Sequence, residues 1–305
     1  MTIQLLLQQS FNALQLGSVY ALIALGYTMV YGILTMINFA HGDIFTVSCY
    51  LALWFSSLFL AIWAGSPPAL VFAATVVCAM LSTAAIAVII ERLAYKPLRQ
   101  APRVSAVITA LGVGLLIENT MVAIPGIGPE PRVIPNLLSG TDLQIGGITL
   151  SMAQLLTIVV SAVAMIILDA IVRKTRVGIA MRAISWDSRI VPLMGVPIDR
   201  IISITFALGA AVAAVGGTMF GMAYQMDPYM GIRIGWWAFI SAVVGGIGNI
   251  RGAMLGGFVL GFVEILTPTV LRSSSYRDMV AFGLLLLLLV FRPTGILGRP
   301  AAQKI

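Results

Sequence analysis

Long uncharged apolar stretches alternate with short polar segments along almost the whole chain. Eight runs reach or approach the roughly 20 residues that a helix needs to cross a hydrocarbon core of about 30 Å. These runs are 12–36, 44–64, 69–90, 104–124, 152–172, 201–226, 236–266 and 279–291. The pattern predicts an all-α polytopic membrane protein with about eight transmembrane helices, and we expect residues 1–305 to form a single transmembrane domain.

Composition and charge strengthen this prediction. Hydrophobic residues make up 60% of the chain and charged residues only 10%, and the mean hydropathy is +1.03. The formal net charge is +7, but the basic residues sit in short loops between apolar runs, which argues against nucleic-acid binding. Because cytoplasmic loops carry an excess of Lys and Arg, we place three segments in the cytoplasm. They are the loop 91–103 (Arg92, Lys96, Arg99, Arg103), the loop 173–200 (Arg173, Lys174, Arg176, Arg182, Arg189, Arg200) and the tail (Arg292, Arg299, Lys304).

The number of crossings tests this orientation. Two runs separate the first two basic loops, and the Pro- and Gly-rich stretch 125–151 between those runs suits an external loop. Three runs separate the loop 173–200 from the tail. Three crossings would put the basic tail outside, on the side opposite to the two basic loops. The run 236–266 contains the polar break VVGGIGNIRGAMLGG. Such a break is tolerated at membrane depth only inside protein or beside water, so we predict either a re-entrant pair of half-helices or two short crossings there.

A second polar break, INFAHGD at residues 37–43, interrupts the apolar residues 12–64. It places an asparagine before the only histidine of the sequence and a glycine, as Asn38, His41 and Gly42. The break near 245–257 has a similar order, with Asn249 ahead of Gly252. Two broken segments in the two halves of a chain predict discontinuous helices beside a transport path and are typical of an internal repeat. A repeat and a chance likeness both remain open, because the match is short.

The role of His41 also has two interpretations. Its side chain could relay protons in an ion-coupled carrier, since an unperturbed imidazole titrates near pH ~6.5. Alternatively, it could support the helix break as a structural partner, and this is the interpretation that we favour.

Four acidic residues lie within or at the ends of apolar runs. An ionisable group there is costly unless it faces the protein interior or an aqueous path. Glu118 and Glu264 are the deeper two, and we predict that both lie along the substrate pathway with Asn249. Glu91 and Asp169 adjoin basic loops, so we expect them to sit at the interface or to pair with neighbouring arginines. Those neighbours are Arg92 and Arg173.

The sequence lacks the constellations of common membrane enzymes. A single histidine cannot form a His-based metal pair, and no H-E-x-x-H motif is present. Lys96, Lys174 and Lys304 each follow a residue other than glycine, so there is no Walker A sequence for binding nucleotide. Cys49 and Cys78 lie in apolar runs, where free cysteine behaves as a small hydrophobe. We therefore expect that this chain is not an enzyme, does not hydrolyse nucleotide itself and binds no metal or cofactor of its own.

The loop 173–200 carries a helical pattern of its own. Apolar residues recur at helical spacing and give one stripe, which Gly195 and Pro197 end. The stripe consists of Ile179, Ala183, Ile184, Ile190, Val191 and Met194. This pattern predicts either an amphipathic helix on the membrane surface or a short helix that docks into a groove of a cytoplasmic partner.

Five ordered motifs together resemble one family. GYTMVYGILTMINFAHGD, ERLAYKPLR, RVGIAMRAISWDSRIVPLMGVPIDRIISITFALGAAVAAVGG, AVVGGIGNIRGAMLGGFVLG and FRPTGILGRP are similar to the LivH-type permease of branched-chain amino-acid ABC importers. The resemblance runs from about residue 5 to the C-terminus. One position departs from it: the family commonly has Gln-Asn where this chain has Glu118-Asn119.

The resemblance implies an inner-membrane permease that works in an assembly. Its expected partners are a second, LivM-like permease, two cytoplasmic ATP-binding subunits that hydrolyse ATP, a periplasmic substrate-binding protein and the surrounding lipid. The segment 173–200 then resembles the part of the permease that couples to the ATPase subunits. The coupling residues implied are Arg182, Ala183, Asp187 and Gly195, and the breaks around Asn38 and Asn249 would line the path.

The substrate is left open among related possibilities. A branched-chain or related small amino acid is the first expectation, and urea, short amides or other small carboxylates are the alternatives within the same transporter class. An ion-coupled secondary carrier that uses His41, Glu118 and Glu264 is the alternative from a different class.

Overall fold

The computed structural model describes residues 3–99, 101–135, 137, 143–145, 148–188 and 190–298. Within these residues the chain forms ten α-helices and one short hairpin. The helices are α1 (Ile3–Leu34), α2 (His41–Ile62), α3 (Pro68–Ile90), α4 (Arg103–Ala123), α5 (Met152–Lys174), α6 (Arg176–Trp186), α7 (Ile198–Ala223), α8 (Met230–Gly245), α9 (Ile250–Leu271) and α10 (Arg277–Phe291). The antiparallel strands β1 (Leu143–Ile145) and β2 (Ile148–Leu150) pair between α4 and α5. The fold is therefore all-α, as predicted.

Shorter helical turns occur at the ends of three long helices. A π-helical turn, Glu91–Tyr95, and a 3-10 turn, Lys96–Leu98, continue α3. Two more 3-10 turns, Val191–Met194 and Ser274–Tyr276, precede α7 and α10.

Eight of the described helical segments are long and apolar enough to cross a bilayer, which confirms the predicted number. They contain α1–α5, α7, α9 and α10. The apolar helix α8 has only 16 residues, so at 1.5 Å per residue it extends about 24 Å, short of a full hydrocarbon core. The non-helical segment 224–229 links α7 to α8, and within it Met226 pairs with Arg132 of the stretch 125–151.

Both polar breaks of the sequence interrupt helices in the structure. The first break separates α1, which ends at Leu34, from α2, which begins at His41. The second separates α8 from α9 across Gly246–Asn249, where Gly246 and Gly248 have φ angles of +109° and +91°. Side chains rarely adopt these angles, so glycine is required at both positions. The run 236–266 is therefore divided between two helices, as expected for either a re-entrant pair or two short crossings. A common origin of the two breaks stays a prediction.

The three basic segments lie at one end of the helical bundle, which we call the basic end. Asp199 at the start of α7 pairs with Lys96 at 2.7 Å and with Arg99 at 2.5 Å, which joins the loop 91–103 to the loop 173–200. The Asn249 amide donates a hydrogen bond of 2.6 Å to the carbonyl oxygen of Leu297, which fixes the tail beside the α8–α9 break. Arg189, Arg299 and Lys304 lie outside the described residues.

The start of α1 lies at the opposite end. The Gln8 side chain exchanges two hydrogen bonds of 3.0 Å with the backbone of Thr149 in β2. Hence the N-terminal end of α1 shares an end with the hairpin and with the Pro- and Gly-rich stretch, a placement that the uncharged first 42 residues could not indicate.

The core lies along α1 and α7, the two most buried of the span-length helices. Glycines allow their neighbours to approach closely. A methyl group on Gly261 of α9 would lie 2.4 Å from the Cα atom of Gly17, and one on Gly209 of α7 would lie 3.2 Å from the Cα atom of Gly26. The glycines thus serve close helix packing, which is their usual role in membrane helices.

Candidate functional site: a membrane-embedded path and a helix at the basic end

Asn38 and His41 fix the first break against the neighbouring helices. The hydroxyl of Tyr95 donates a hydrogen bond of 2.5 Å to Oδ1 of Asn38, which ties the break to the turn after α3. His41 is the first residue of α2, and only 2% of it is exposed. Its ring lies edge-on to Tyr27 of α1, with 5.0 Å between ring centroids, and against Gly26. These contacts are those of a packing residue at the start of a helix.

Gly42 lets α2 and α8 touch. A methyl group at position 42 would lie 2.2 Å from the carbonyl oxygen of Gly231 and 2.9 Å from the Cα atom of Gly235. The first turn of α2 and the first two turns of α8 therefore meet backbone to backbone. This crossing depends on glycine at all three positions because any side chain would force the helices apart.

Glu118 of α4 lies one helical turn after Gly114, which packs against the Asp43 carboxyl group in the first turn of α2. Glu118 is 4% exposed, and its carboxyl group lies close enough to that of Asp43 for their charges to interact. Sequence reasoning identified Glu118 but did not select Asp43, although Asp43 closes the INFAHGD break. Asp43 could have been selected from the sequence, because a charged residue in the first turn after a helix break lies at membrane depth, as Glu118 does.

Glu264 of α9 lies between α1 and α10. The hydroxyl of Tyr20 donates a hydrogen bond to Oε2 of Glu264, and Nη1 of Arg277 lies 3.1 Å from Oε1. The sequence could not name these partners because Tyr20 lies 244 residues away from Glu264. The structure thus places Glu264 in a polar cluster with one acidic and one basic member.

This cluster borders a cavity of about 1050 Å³, which we call the outer vestibule. Acidic, basic and aromatic side chains all line it. Its principal lining residues are Tyr20, Arg233, Trp236, Trp237, Glu264, Arg277 and Asp278. Of these, sequence reasoning selected only Glu264. Arg233 was detectable, since it lies only three residues before the predicted run 236–266, between apolar neighbours.

Asn249 lies at the basic end, away from the vestibule. Its Oδ1 accepts hydrogen bonds from the backbone N–H groups of Arg251 at 3.1 Å and Gly252 at 3.4 Å, so it caps the N-terminus of α9. It also borders a second cavity of about 670 Å³, which we call the inner mouth and which Thr35, Asp169, Arg182 and Gly248 line as well.

Of the two ion pairs predicted for Glu91 and Asp169, one is confirmed and one is wrong. Asp169 pairs with Arg173 at 2.7 Å, as expected, and also with Arg251 at 3.3 Å. Glu91 is fully buried and pairs with Arg99 instead of Arg92, and it accepts a hydrogen bond of 2.7 Å from Ser203. Consecutive residues on a helix point in different directions, so Arg92 could not reach Glu91.

The helical stripe of the loop 173–200 is divided in the structure. Helix α6 begins after Thr175, whose Oγ1 accepts a hydrogen bond of 3.2 Å from the N–H group of Gly178, and ends at Trp186. The prediction of one continuous helix to Met194 is therefore wrong. The helix ends because the backbone of Asp187 is extended, with φ −149° and ψ 101°. Pro192 then prevents a continuous helix through residue 188, because its ring clashes with the carbonyl group four residues earlier and it lacks an N–H group. The chain continues as the 3-10 turn Val191–Met194.

The four predicted coupling residues are spread along this segment. The guanidinium group of Arg182 donates hydrogen bonds to the backbone carbonyl oxygens of Val172 and Arg173, the latter at 3.4 Å, at the end of α5. Ala183 packs partly against the core, and Asp187 follows the last residue of α6. Gly195 has a φ angle of +78° and ends the 3-10 turn.

The structure therefore divides the predicted pathway residues and Arg182 among three places, while Ala183, Asp187 and Gly195 lie elsewhere along the segment 173–200. Asn38, His41, Gly42 and Glu118 gather around the start of α2. Glu264 lies alone among them in the outer vestibule. Asn249 and Arg182 share the inner mouth.

Comparison with known proteins gives a consistent relationship over almost the whole chain. Residues 9–289 match the family described as branched-chain amino acid transport system, permease component. The high-affinity branched-chain amino acid transport system permease protein BraD of Pseudomonas aeruginosa is 41% identical over 98% of both chains. The corresponding LivH proteins of Salmonella typhimurium and Escherichia coli K12 are 40% identical over 98% of this chain and 97% of theirs.

A more distant likeness covers a smaller part of the chain. The ribose import permease protein RbsC of Haemophilus influenzae is 25% identical over 131 residues, or 39% of each chain. The span-length helices and the family match together identify a multi-pass protein of the inner membrane. The chain belongs to the family of permease components of branched-chain amino acid transport systems.

Proposed function

We propose that this chain is a permease subunit of an ATP-binding cassette importer and moves branched-chain amino acids across the inner membrane. The outer vestibule is the observation that carries the substrate class. It sets Arg233 and Arg277 beside Glu264 and Asp278, and it has an aromatic wall that includes Trp237. A zwitterion with an apolar side chain needs both signs of charge and an apolar surface, whereas neutral urea needs neither charge.

The energy source lies outside this chain. No lysine of the sequence follows a glycine, so the phosphate-binding Walker A loop is absent. We therefore assign ATP hydrolysis to two cytoplasmic ATP-binding subunits and assign no cofactor to the permease itself. The basic end is the cytoplasmic end in this proposal, in accord with the positive-inside rule.

The segment from α6 to the 3-10 turn offers a docking surface for those subunits. We define the docking surface as Ile179, Trp186, Ile190, Leu193 and Met194, all large apolar residues at the basic end. Trp186 is 74% exposed, Leu193 86% and Met194 77%. Apolar side chains this exposed at an end rich in charge are typical of a protein interface. A groove on an ATP-binding subunit would cover them.

Arg182 connects the docking surface to the residues that line the inner mouth. It lies on α6, its guanidinium group holds the last carbonyl groups of α5, and it lines the inner mouth beside Asn249. A movement of α6 would therefore shift the end of α5 and the border of the inner mouth together. We propose this contact as the mechanical link between ATP-driven movement and opening of the path.

The remaining partners follow from the same arrangement. A second, LivM-like permease would complete the path, since an importer with two ATP-binding subunits offers two docking sites. A periplasmic binding protein would deliver substrate at the end that carries the β1–β2 hairpin. The surrounding lipid contacts α10 and the other exposed apolar helices.

Reconstitution tests this proposal. Vesicles that contain both permeases and both ATP-binding subunits should take up labelled leucine only when loaded binding protein is outside and ATP is inside. Vesicles with this chain alone are the control and should take up nothing under a proton or sodium gradient. Gradient-driven leucine uptake by this chain alone would instead establish a secondary carrier, and ATP-driven uptake of urea or an amide without leucine would replace the substrate class.

A further inference from the structure

The carboxyl groups of Asp43 and Glu118 form a buried pair in the membrane-embedded part of the protein. Each residue is 4% exposed. The two carboxyl groups lie close enough to interact, and Oδ1 of Asp43 and Oε1 of Glu118 accept no hydrogen bond from the residues that the structure describes. A buried charged group without a partner is costly and calls for a ligand or a functional reason.

Two glycines make the space that Asp43 occupies. A methyl group on Gly231 of α8 would lie 2.2 Å from Oδ1 of Asp43, and one on Gly114 of α4 would lie 2.3 Å from Oδ2. Both distances are shorter than any normal contact, so a side chain at either position would displace the carboxylate. The helices α2, α4 and α8 are thus shaped around this one group.

Asp43 borders a cavity of about 230 Å³, which we call the inner chamber. The rest of its wall is almost wholly apolar and aromatic, and the principal lining residues are Tyr27, Phe39, Leu111, Trp236 and Phe239. Trp236 also lines the outer vestibule. The two cavities therefore share one indole side chain as a common wall, which puts the inner chamber next along a path from the vestibule.

The expected charge of the Asp43–Glu118 pair suits a ligand with one positive charge. Two carboxylates close together away from water would repel each other strongly, so one shared proton, and with it one net negative charge, is the favourable state of such a pair. A primary ammonium group can donate three hydrogen bonds and would supply both the missing positive charge and the missing donors. The aromatic wall would contact the aliphatic part of such a molecule.

We propose that the Asp43–Glu118 pair binds the α-ammonium group of the amino acid inside the membrane, while Phe39, Trp236 and Phe239 hold its aliphatic side chain. This inference rests on the proposed function and names the group of the substrate that the path recognises. The inner chamber would then select for a protonated amine that is attached to a branched apolar chain.

Transport by the complete importer is the first test. Asp43→Asn leaves the negative charge on Glu118 and should lower leucine uptake partially. Asp43→Asn with Glu118→Gln removes the charge and should lower uptake by about tenfold or more, as expected for loss of a charge-assisted hydrogen bond. The control is Asn119→Ala, which changes the exposed neighbour of Glu118 on α4. Uptake by the double variant at the wild-type rate would overturn the inference, while wild-type vesicles without leucine uptake would count against the proposed function itself.

A binding measurement keeps the inference testable if the double variant does not assemble. The purified wild-type permease pair, without binding protein, is titrated with 3-methylbutylamine and, separately, with 4-methylpentanoate while the tryptophan fluorescence is followed. The amine should bind saturably and at least about tenfold more tightly than the acid, because only the amine can pair with the carboxyl groups. Gly114→Ala should abolish the difference by displacing Asp43. Equal binding of both probes, or no saturable binding of the amine, would refute the ammonium site.

Discussion

The imidazole ring of His41 occupies space that is free only because residue 26 of α1 is glycine. A methyl group at position 26 would lie 2.0 Å from Nε2 of His41, well inside any permitted contact. His41 begins α2 and Gly26 lies within α1, so this contact sets how the two helices of the first break meet. The ring of the only histidine therefore packs between α1 and α2.

This contact predicts a rescue. Gly26→Ala should destabilise the protein by about 1–3 kcal/mol, because the added methyl group overpacks a filled core. Gly26→Ala with His41→Ala should recover part of the loss, since the smaller side chain leaves room. The measurement is the thermal unfolding midpoint of the purified protein in detergent. A double variant that is less stable than Gly26→Ala alone would show that His41 does more than occupy the space beside residue 26.

The buried pair of Glu91 and Arg99 predicts a second rescue. Arg99→Ala should cost about 3–5 kcal/mol, because it leaves the fully buried Glu91 without its countercharge. Glu91→Gln added to Arg99→Ala should restore much of the stability by removing the unpaired charge. Arg92→Ala is the matched control, because the Arg92 side chain is exposed and should be replaceable without effect. Equal losses for Arg92→Ala and Arg99→Ala in a thermal unfolding assay would contradict the pairing.

The cap of α9 predicts a graded effect at position 249. Asn249→Ala should cost about 1 kcal/mol, because it removes the acceptor for two backbone N–H groups of the first turn. Asn249→Asp keeps that acceptor but loses the donor to Leu297, so it should destabilise less while loosening the tail. Thermal unfolding reports the cap, and amide hydrogen exchange at residues 294–298 reports the tail. If both variants behave alike in both measurements, the two roles of Asn249 are not separable.

The docking surface predicts uncoupling without loss of the permease. Trp186→Asp and Leu193→Asp should leave the protein in the membrane but prevent the ATP-binding subunits from copurifying, since a charge would be buried in the interface. Ser188→Asp, at an exposed polar position of the same segment, is the control. Asp187→Lys and Gly195→Trp should likewise separate ATP hydrolysis from uptake. Normal copurification and normal uptake by all of these variants would exclude the segment as the docking site.

The outer vestibule predicts charge-dependent transport. Arg233→Gln and Glu264→Gln should each lower leucine uptake by about tenfold at saturating loaded binding protein, because a charged hydrogen bond contributes about 1.5–3 kcal/mol. Arg272→Gln is the control, since Arg272 is an exposed arginine at the end of α9. Uptake that falls equally in the control would point to the overall charge of that end and away from recognition in the vestibule.

The unusual polar positions of the sequence could be predicted, but their partners in the structure could not. The break at INFAHGD and the acids Glu118 and Glu264 stand out in the sequence because polar residues are rare in apolar runs. Asp43 was visible but unselected, and its contact with Glu118 joins residues far apart in the chain. The continuous helix predicted over residues 179–194 ends at Trp186 in the structure, because apolar spacing alone does not reveal the extended backbone of Asp187 or the effect of Pro192.

The sequence by itself determined the all-α membrane fold, the number of span-length helices, the two breaks and the family resemblance. Each of these follows from local composition and spacing, because a bilayer demands long apolar runs and tolerates glycine-rich breaks only where protein or water surrounds them. Tertiary structure alone decided which groups meet: Glu91 with Arg99, Glu264 with Tyr20, and Asp43 with Glu118. Those contacts depend on how helices distant in sequence pack, and the small residues that permit the packing do not specify its partners.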